Sequence, residues 1–112
     1  MIDVVFTLDY ELFGDGSGDL FKHILEPTKK LKKIFDSHNS KLVFFVETAE
    51  LLKISNINSD KKIFEIEKQL NELYNQKHEI DLHIHSQWFN AKLIDSNWIL
   101  DYDEYNLSKL TK

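Results

Sequence analysis

The sequence has no cysteine and a single proline. Without cysteine there is neither a disulfide framework nor a thiolate metal site, so any metal must be held by histidine or by carboxylate oxygens. That composition suits a reducing compartment. No stretch approaches the roughly 20 apolar residues of a membrane-spanning helix, so no membrane partner is expected. The opening MIDVVFTLDYEL sets Asp3 near the start and lacks a basic lead, a long apolar run and a small-residue cleavage site. It does not read as a signal peptide, and a cytoplasmic protein is expected. Positive charge is in deficit, with 14 basic against 19 acidic residues and a net charge of −5. The lysines are scattered or sit on helical faces, which argues against a phosphate-tracking surface and a nucleic-acid partner.

Glycine is also scarce, and all three, Gly14, Gly16 and Gly18, fall in one loop, GDGSGD. A calcium loop would need a terminal bidentate Glu and alternating ligand spacing, and a phosphate cradle would need a Lys and an immediate helix; neither follows. The loop reads as a tight turn that lets backbone approach whatever binds beside Asp9.

What the chain does have is material for a core: 42% hydrophobic residues, with eight Phe, four Tyr and two Trp in 112 residues. One domain is expected over residues 1–112. The apolar run before the glycine loop predicts a buried first strand at about Ile2 to Asp9. EPTKKLKKIFDSHN predicts a helix with Pro27 in its first turn and Leu31, Ile34 and Phe35 at helical spacing. KLVFFVE predicts a second strand, apolar on both faces as if covered on both sides. TAELLKI reads as a short helix. KKIFEIEKQLNELYNQK reads as a longer one, capped by Asp60, with Ile63, Ile66, Leu70, Leu73, Tyr74 and Lys77 along one stripe. EIDLHIH is the third strand. Lys92 to Ile94 against Trp98 to Leu100, around Asp95-Ser96-Asn97, predicts a hairpin, followed by a turn and a first helical turn. The alternation of strand and helix makes the three strands parallel, and such sheets bind ligands at the C-terminal edge of their strands.

Side chains alternate along a strand, so parity tells which groups share a face. In the third strand Glu79, Asp81, His83 and His85 are odd and polar, and Ile80, Leu82 and Ile84 are even and apolar. In the first strand the even set is again apolar, and the odd set ends in Thr7, Asp9 and Glu11. Two strands therefore deliver Asp9 and Glu11, and His83 and His85, to matching ends. Strand residues two apart lie about 6.6 Å apart and zinc-ligand bonds run about 2.0–2.2 Å, so one ion can join a His-x-His pair to a carboxylate from a neighbouring strand. A lone His-x-His is more often plain surface polarity, and the second strand's Asp-x-Glu is what favours a site. Glu47 ends the second strand at the same edge, either as a substrate or outer-sphere group or as a solvated strand end. Trp88 and Phe89 could wall a sugar ring or pack the hairpin; Trp98 reads as hairpin packing. His23, His38 and His78 read as exposed bystanders.

FTLDYE (Phe6 to Glu11), KLVFFVETAEL (Lys41 to Leu51) and KHEIDLHIHSQW (Lys77 to Trp88), in that order, resemble the motifs of the polysaccharide deacetylase family. The glycine loop, Pro27 and NWILDYDEY resemble a variant branch associated with surface-polysaccharide genes. The resemblance implies a distorted (β/α) barrel, of which this chain would be the N-terminal half: three parallel strands with covering helices and a short hairpin, a partial domain over 1–112. It implies Asp9 as general base and Glu11, His83 and His85 as ligands of a divalent metal ion, zinc by its chemistry. Glu47, Gln87 and Trp88 would meet an N-acetylated carbohydrate substrate. Two departures stand out. Tyr10 occupies the family's second Asp position, which moves the ligand role to Glu11. Gln87 stands where the family's second His is expected, leaving His85 or Gln87 as third ligand. The implied reaction is hydrolysis of an N-acetyl group: the ion polarises the amide carbonyl and acidifies water, and Asp9 takes the proton. The family's later Arg, acetyl pocket and acidic His are not found after Trp88, and lack of a general acid costs on the order of 10²–10⁴ in rate. Two alternatives stay open. DLHIHS (Asp81 to Ser86) is similar to the opening motif of PHP-type metal-dependent phosphoesterases, and the chain could equally be an inactive half-barrel that binds a sugar or self-associates through its open edge.

Overall fold

The computed structural model describes residues 1–57 and 61–110; Asp60, the expected cap of the longer helix, lies outside the described residues. Three parallel strands form one sheet in the order β1 (Thr7–Tyr10), β2 (Val43–Glu47), β3 (Glu79–His83). A π-helical turn (Leu20–Leu25) and α1 (Glu26–Ser37) connect β1 to β2, and α2 (Thr48–Ile57) and α3 (Lys61–Asn75) connect β2 to β3. A separate antiparallel pair, β4 (Lys92–Ile94) and β5 (Asn97–Ile99), follows, then two short 3₁₀ turns. The hairpin turns at Asp95 and Ser96, both at positive φ (47° and 65°), the backbone that a two-residue turn needs to match strand twist.

The first strand is shorter than its apolar run predicts. The ladder starts at Thr7↔Val43↔Glu79, with Phe6 O accepting the Val43 N–H as its last contact. Residues Ile2 to Phe6 lie beyond the end of the sheet and are exposed rather than buried. A strand persists only where a neighbour satisfies its backbone, and β2 begins too late to pair with them.

The core lies on the even-numbered face. Tyr10, Phe44 and Val46 from the sheet pack against Leu20, Ile24 and Leu25, Ile54, Ile66 and Leu73, with Leu31, Phe35, Leu70 and Ile80 partly buried around them. Every helix thus contributes to one side of the sheet. The double covering expected of β2 is not found: Val43 and Phe45, on the odd face, are only half-buried. Ile34 points outward despite its spacing, as does Tyr74 of the α3 stripe. Lys77, expected on that stripe, lies past the helix at φ 69°. No helix among the described residues is long and apolar enough to cross a membrane.

Candidate metal centre

The register aligns Glu47 with His83 and Tyr10 with Val46. One step further, Glu11, Glu47 and His83 form a row across the three strands at their C-terminal edge, all on the odd face. His85 lies two residues on, where β3 has left the ladder. These four residues each offer a donor atom, and the atoms lie within 4.8 Å of one another. Glu11 Oε2 is 3.2 Å from His83 Nε2 and 3.0 Å from His85 Nε2, and the two imidazole nitrogens are 3.0 Å apart. Three ligands held at about 2.0–2.2 Å from one zinc ion, at angles between right and tetrahedral, are themselves roughly 3.0–3.5 Å apart. The triangle has that size.

The orientation matters as much as the distance. Glu11 Oε2 is a buried atom with no hydrogen-bond partner among the described residues, although two imidazoles approach it closely. A buried carboxylate oxygen left without a donor is costly, and a cation against it would supply what the ring N–H groups do not. The donor set, two imidazoles and one carboxylate, suits zinc and related divalent ions. The side chains of Glu11, His83 and His85 are 21%, 28% and 27% exposed, so the cluster is open to solvent on one side.

Glu47 differs from these three. It is fully buried and both of its oxygens are engaged: Oε1 accepts from Ala49 N–H (2.9 Å) and Glu50 N–H (3.1 Å), and Oε2 accepts from His85 N–H (2.6 Å). It caps α2 and holds the His85 backbone rather than facing a substrate. Burial raises its carboxyl above the ordinary range, against the pull of those hydrogen bonds.

Asp9 shares the odd face with Glu11 but sits one row lower, opposite Phe45, which is flanked on its other side by Asp81. It is exposed and outside the four-residue cluster. Tyr10 faces the core instead, where its hydroxyl donates to Gln69 Oε1 at 2.8 Å and burial pushes its pKa up. Gln87 is buried just past His85, with Oε1 lacking a hydrogen-bond partner among the described residues. His85, and not Gln87, is the residue whose ring meets Glu11 and His83. Trp88 is 2% exposed, packed with Ala49, Ala91 and Leu100 and edge-on to Trp98 at 5.3 Å, so its ring is not presented as a sugar wall. The more exposed neighbour is Phe89.

Two residues near the sheet stand apart from their sequence-based reading. His78, expected to be an exposed bystander, is buried at the opposite end of the sheet, where its Nδ1 accepts the Leu42 N–H at 3.1 Å. Glu50, unremarked in the short helix TAELLKI, is 1% exposed and accepts the Leu12 N–H at 3.0 Å. Burial, chiefly, pushes its carboxyl up to about 8, and the nearby Glu47 and Glu11 charges add to the shift. The sequence signal for Glu50 is the Glu-x-x-Glu spacing at a helix start, which resembles a capping box without its Ser or Thr.

No protein-family model, no curated protein and no solved structure matches the chain. Its own geometry defines its class: an α/β chain with three parallel strands and a cluster of two histidines and two glutamates, able to offer metal ligands, at their C-terminal edge.

Proposed function

We propose that the chain is a polysaccharide-deacetylase-like domain, in which Glu11, His83 and His85 hold a divalent cation, zinc by the donor set, for hydrolysis of N-acetyl groups on a carbohydrate. The observation that carries this reading is the triangle of Glu11 Oε2, His83 Nε2 and His85 Nε2 at 3.0–3.2 Å, with the carboxylate oxygen unpartnered among the described residues. The architecture supports it too. Sequential parallel strand order with the described helices on one face is compatible with half of a (β/α) barrel, in which the odd face would be the inner wall.

A cation bound there supplies Lewis acidity toward an amide carbonyl and toward water. The residues of the chain do the rest. Glu11, His83 and His85 converge from two strands, and the row below them carries Asp9, whose exposed carboxylate on the same face takes the proton of the attacking water. Phe45 beside it gives an apolar floor. Glu47 serves the site through the His85 backbone.

The test is metal analysis after dialysis of the protein and of the His83→Ala, His85→Ala double variant. Stoichiometric zinc in the first and its loss in the second are expected; no metal in either overturns the reading. Acetate release from N-acetylated amino sugars, set against phosphate release from phosphomonoesters, then separates the deacetylase from the phosphoesterase.

A further inference from the structure

The β1–β2 ladder ends at Tyr10↔Val46, and the β2–β3 ladder ends at Glu47↔His83. Glu11 and His85 therefore lie just past the last paired residue of their strands, where no strand partner fixes the backbone. A ligand placed there needs another means of support, because a metal centre tolerates little positional error in its ligands.

Two buried glutamates from the start of α2 occupy the places where that support is required. Glu47 Oε2 accepts the backbone N–H of His85 itself, at 2.6 Å. Glu50 Oε1 accepts the backbone N–H of Leu12, the residue after Glu11, at 3.0 Å. They are 0% and 1% exposed. Helix capping alone does not account for them. Ser, Thr, Asp or Asn is the ordinary cap, and in a capping box the glutamate three residues on turns back to the cap's own N–H. Here the second oxygen of Glu47 reaches across to β3, and Glu50 turns away from its helix toward β1.

We propose that Glu47 and Glu50 are positioning residues of the metal centre, a pair of carboxyls on one helix start that hold the two ligand-bearing strand ends in mutual register once the ladders have stopped. The inference rests on the metal-site reading above. It assigns Glu50, which is not in the four-residue cluster, a role through Leu12 and Glu11, and Glu47 a role through His85.

Zinc titration by calorimetry and the visible spectrum of the cobalt(II)-loaded protein test it, with the circular-dichroism spectrum of the metal-free form as the check on folding. Glu50→Gln keeps an acceptor oxygen for the Leu12 N–H and is expected to bind zinc within about threefold of the parent. Glu50→Met removes the acceptor at similar length and is expected to lose roughly 10–100-fold in affinity, the range for loss of a group that orients a ligand, with an altered cobalt spectrum. Should Glu50→Met fail to fold, Glu47→Gln replaces it. Its amide oxygen still caps α2, while its NH₂ group cannot accept from His85 N–H, and the same loss is expected. A parent that binds zinc while folded Glu50→Met, or Glu47→Gln in its place, binds equally tightly overturns the positioning role alone. A parent that binds no zinc overturns the metal-site reading on which the role depends.

Discussion

Single residues in this chain do work that their type alone would not announce. His78 accepts the Leu42 N–H at Nδ1 and turns Nε2 toward Asp36, 3.4 Å away. Burial lowers its pKa below the ordinary 6.5; the nearby Lys41 and Lys32 charges act the same way, and Asp36 opposes them. Because the folded value is the lower one, the unfolded chain takes up the proton first as pH falls. Stability is therefore full above about 6.5 and is lost as pH drops toward the folded value. The buried Glu47 and Glu50 carboxyls, raised by burial, act in the opposite sense over this range. They are common to the parent and to His78→Gln, which retains an acceptor oxygen but does not titrate. The urea midpoint of the metal-free protein, taken relative to that of His78→Gln, is therefore expected to fall between pH 7.5 and pH 5. Parallel slopes for the two proteins would exclude this role for His78. The sequence showed only a histidine before a strand. Its burial depends on α1 and β2 closing over it, which no local pattern encodes.

At the scale of elements, the helix ends are set by backbone conformation as much as by composition. Both α1 and α3 close with paired bonds from the left-handed residue and the one after it: Asn39 N–H to Asp36 O with Ser40 N–H to Phe35 O, and Lys77 N–H to Tyr74 O with His78 N–H to Leu73 O. The left-handed position is Asn39 in the first and Lys77 in the second, at φ 51° and 69°. Asparagine tolerates that conformation, whereas lysine pays about 1–2 kcal/mol for it. Lys77→Gly removes this strain at an entropic cost of roughly 0.5–1 kcal/mol, so a net stabilisation of about 0.5–1 kcal/mol is expected in denaturant unfolding. Destabilisation by the glycine would contradict the account. Helix existence, the Pro27 start of α1 and the presence of a hairpin after β3 were legible in the sequence, since spacing and turn chemistry are local. The hairpin's second strand runs Asn97–Ile99 rather than Trp98 to Leu100, because the turn needs only Asp95 and Ser96 and Asn97 pairs with Ile94. The late start of β1 was not, because it is decided by where β2 begins.

For the whole molecule, the helices leave apolar groups at the two edges of the sheet without cover. Leu82 of β3 belongs to the even, helix-packed set yet is 66% exposed, and Ile84 beyond it is 38% exposed. Next to β1, at the other edge, Ile2, Val4, Val5 and Phe6 are all exposed. Unpaired edges bordered by apolar side chains favour association. Sedimentation velocity is expected to show an average mass that rises with concentration above the 13.3 kDa of one chain, and Leu82→Lys is expected to restore the monomer. A concentration-independent monomer for the parent protein would refute this.

The sequence by itself determined which groups could share a face: parity along β1 and β3 put Glu11 with Asp9 and His83 with His85, because alternation is a property of any extended chain. It also excluded thiolate chemistry outright, since no cysteine is present. The tertiary structure decided the rest. Strand register, set by how α1, α2 and α3 pack, brought Glu11 against both histidines, left Asp9 one row below, buried Trp88, and made Glu47 and Glu50 into backbone anchors. Register and burial arise from contacts between residues far apart in the chain, and these no pattern within a single segment can specify.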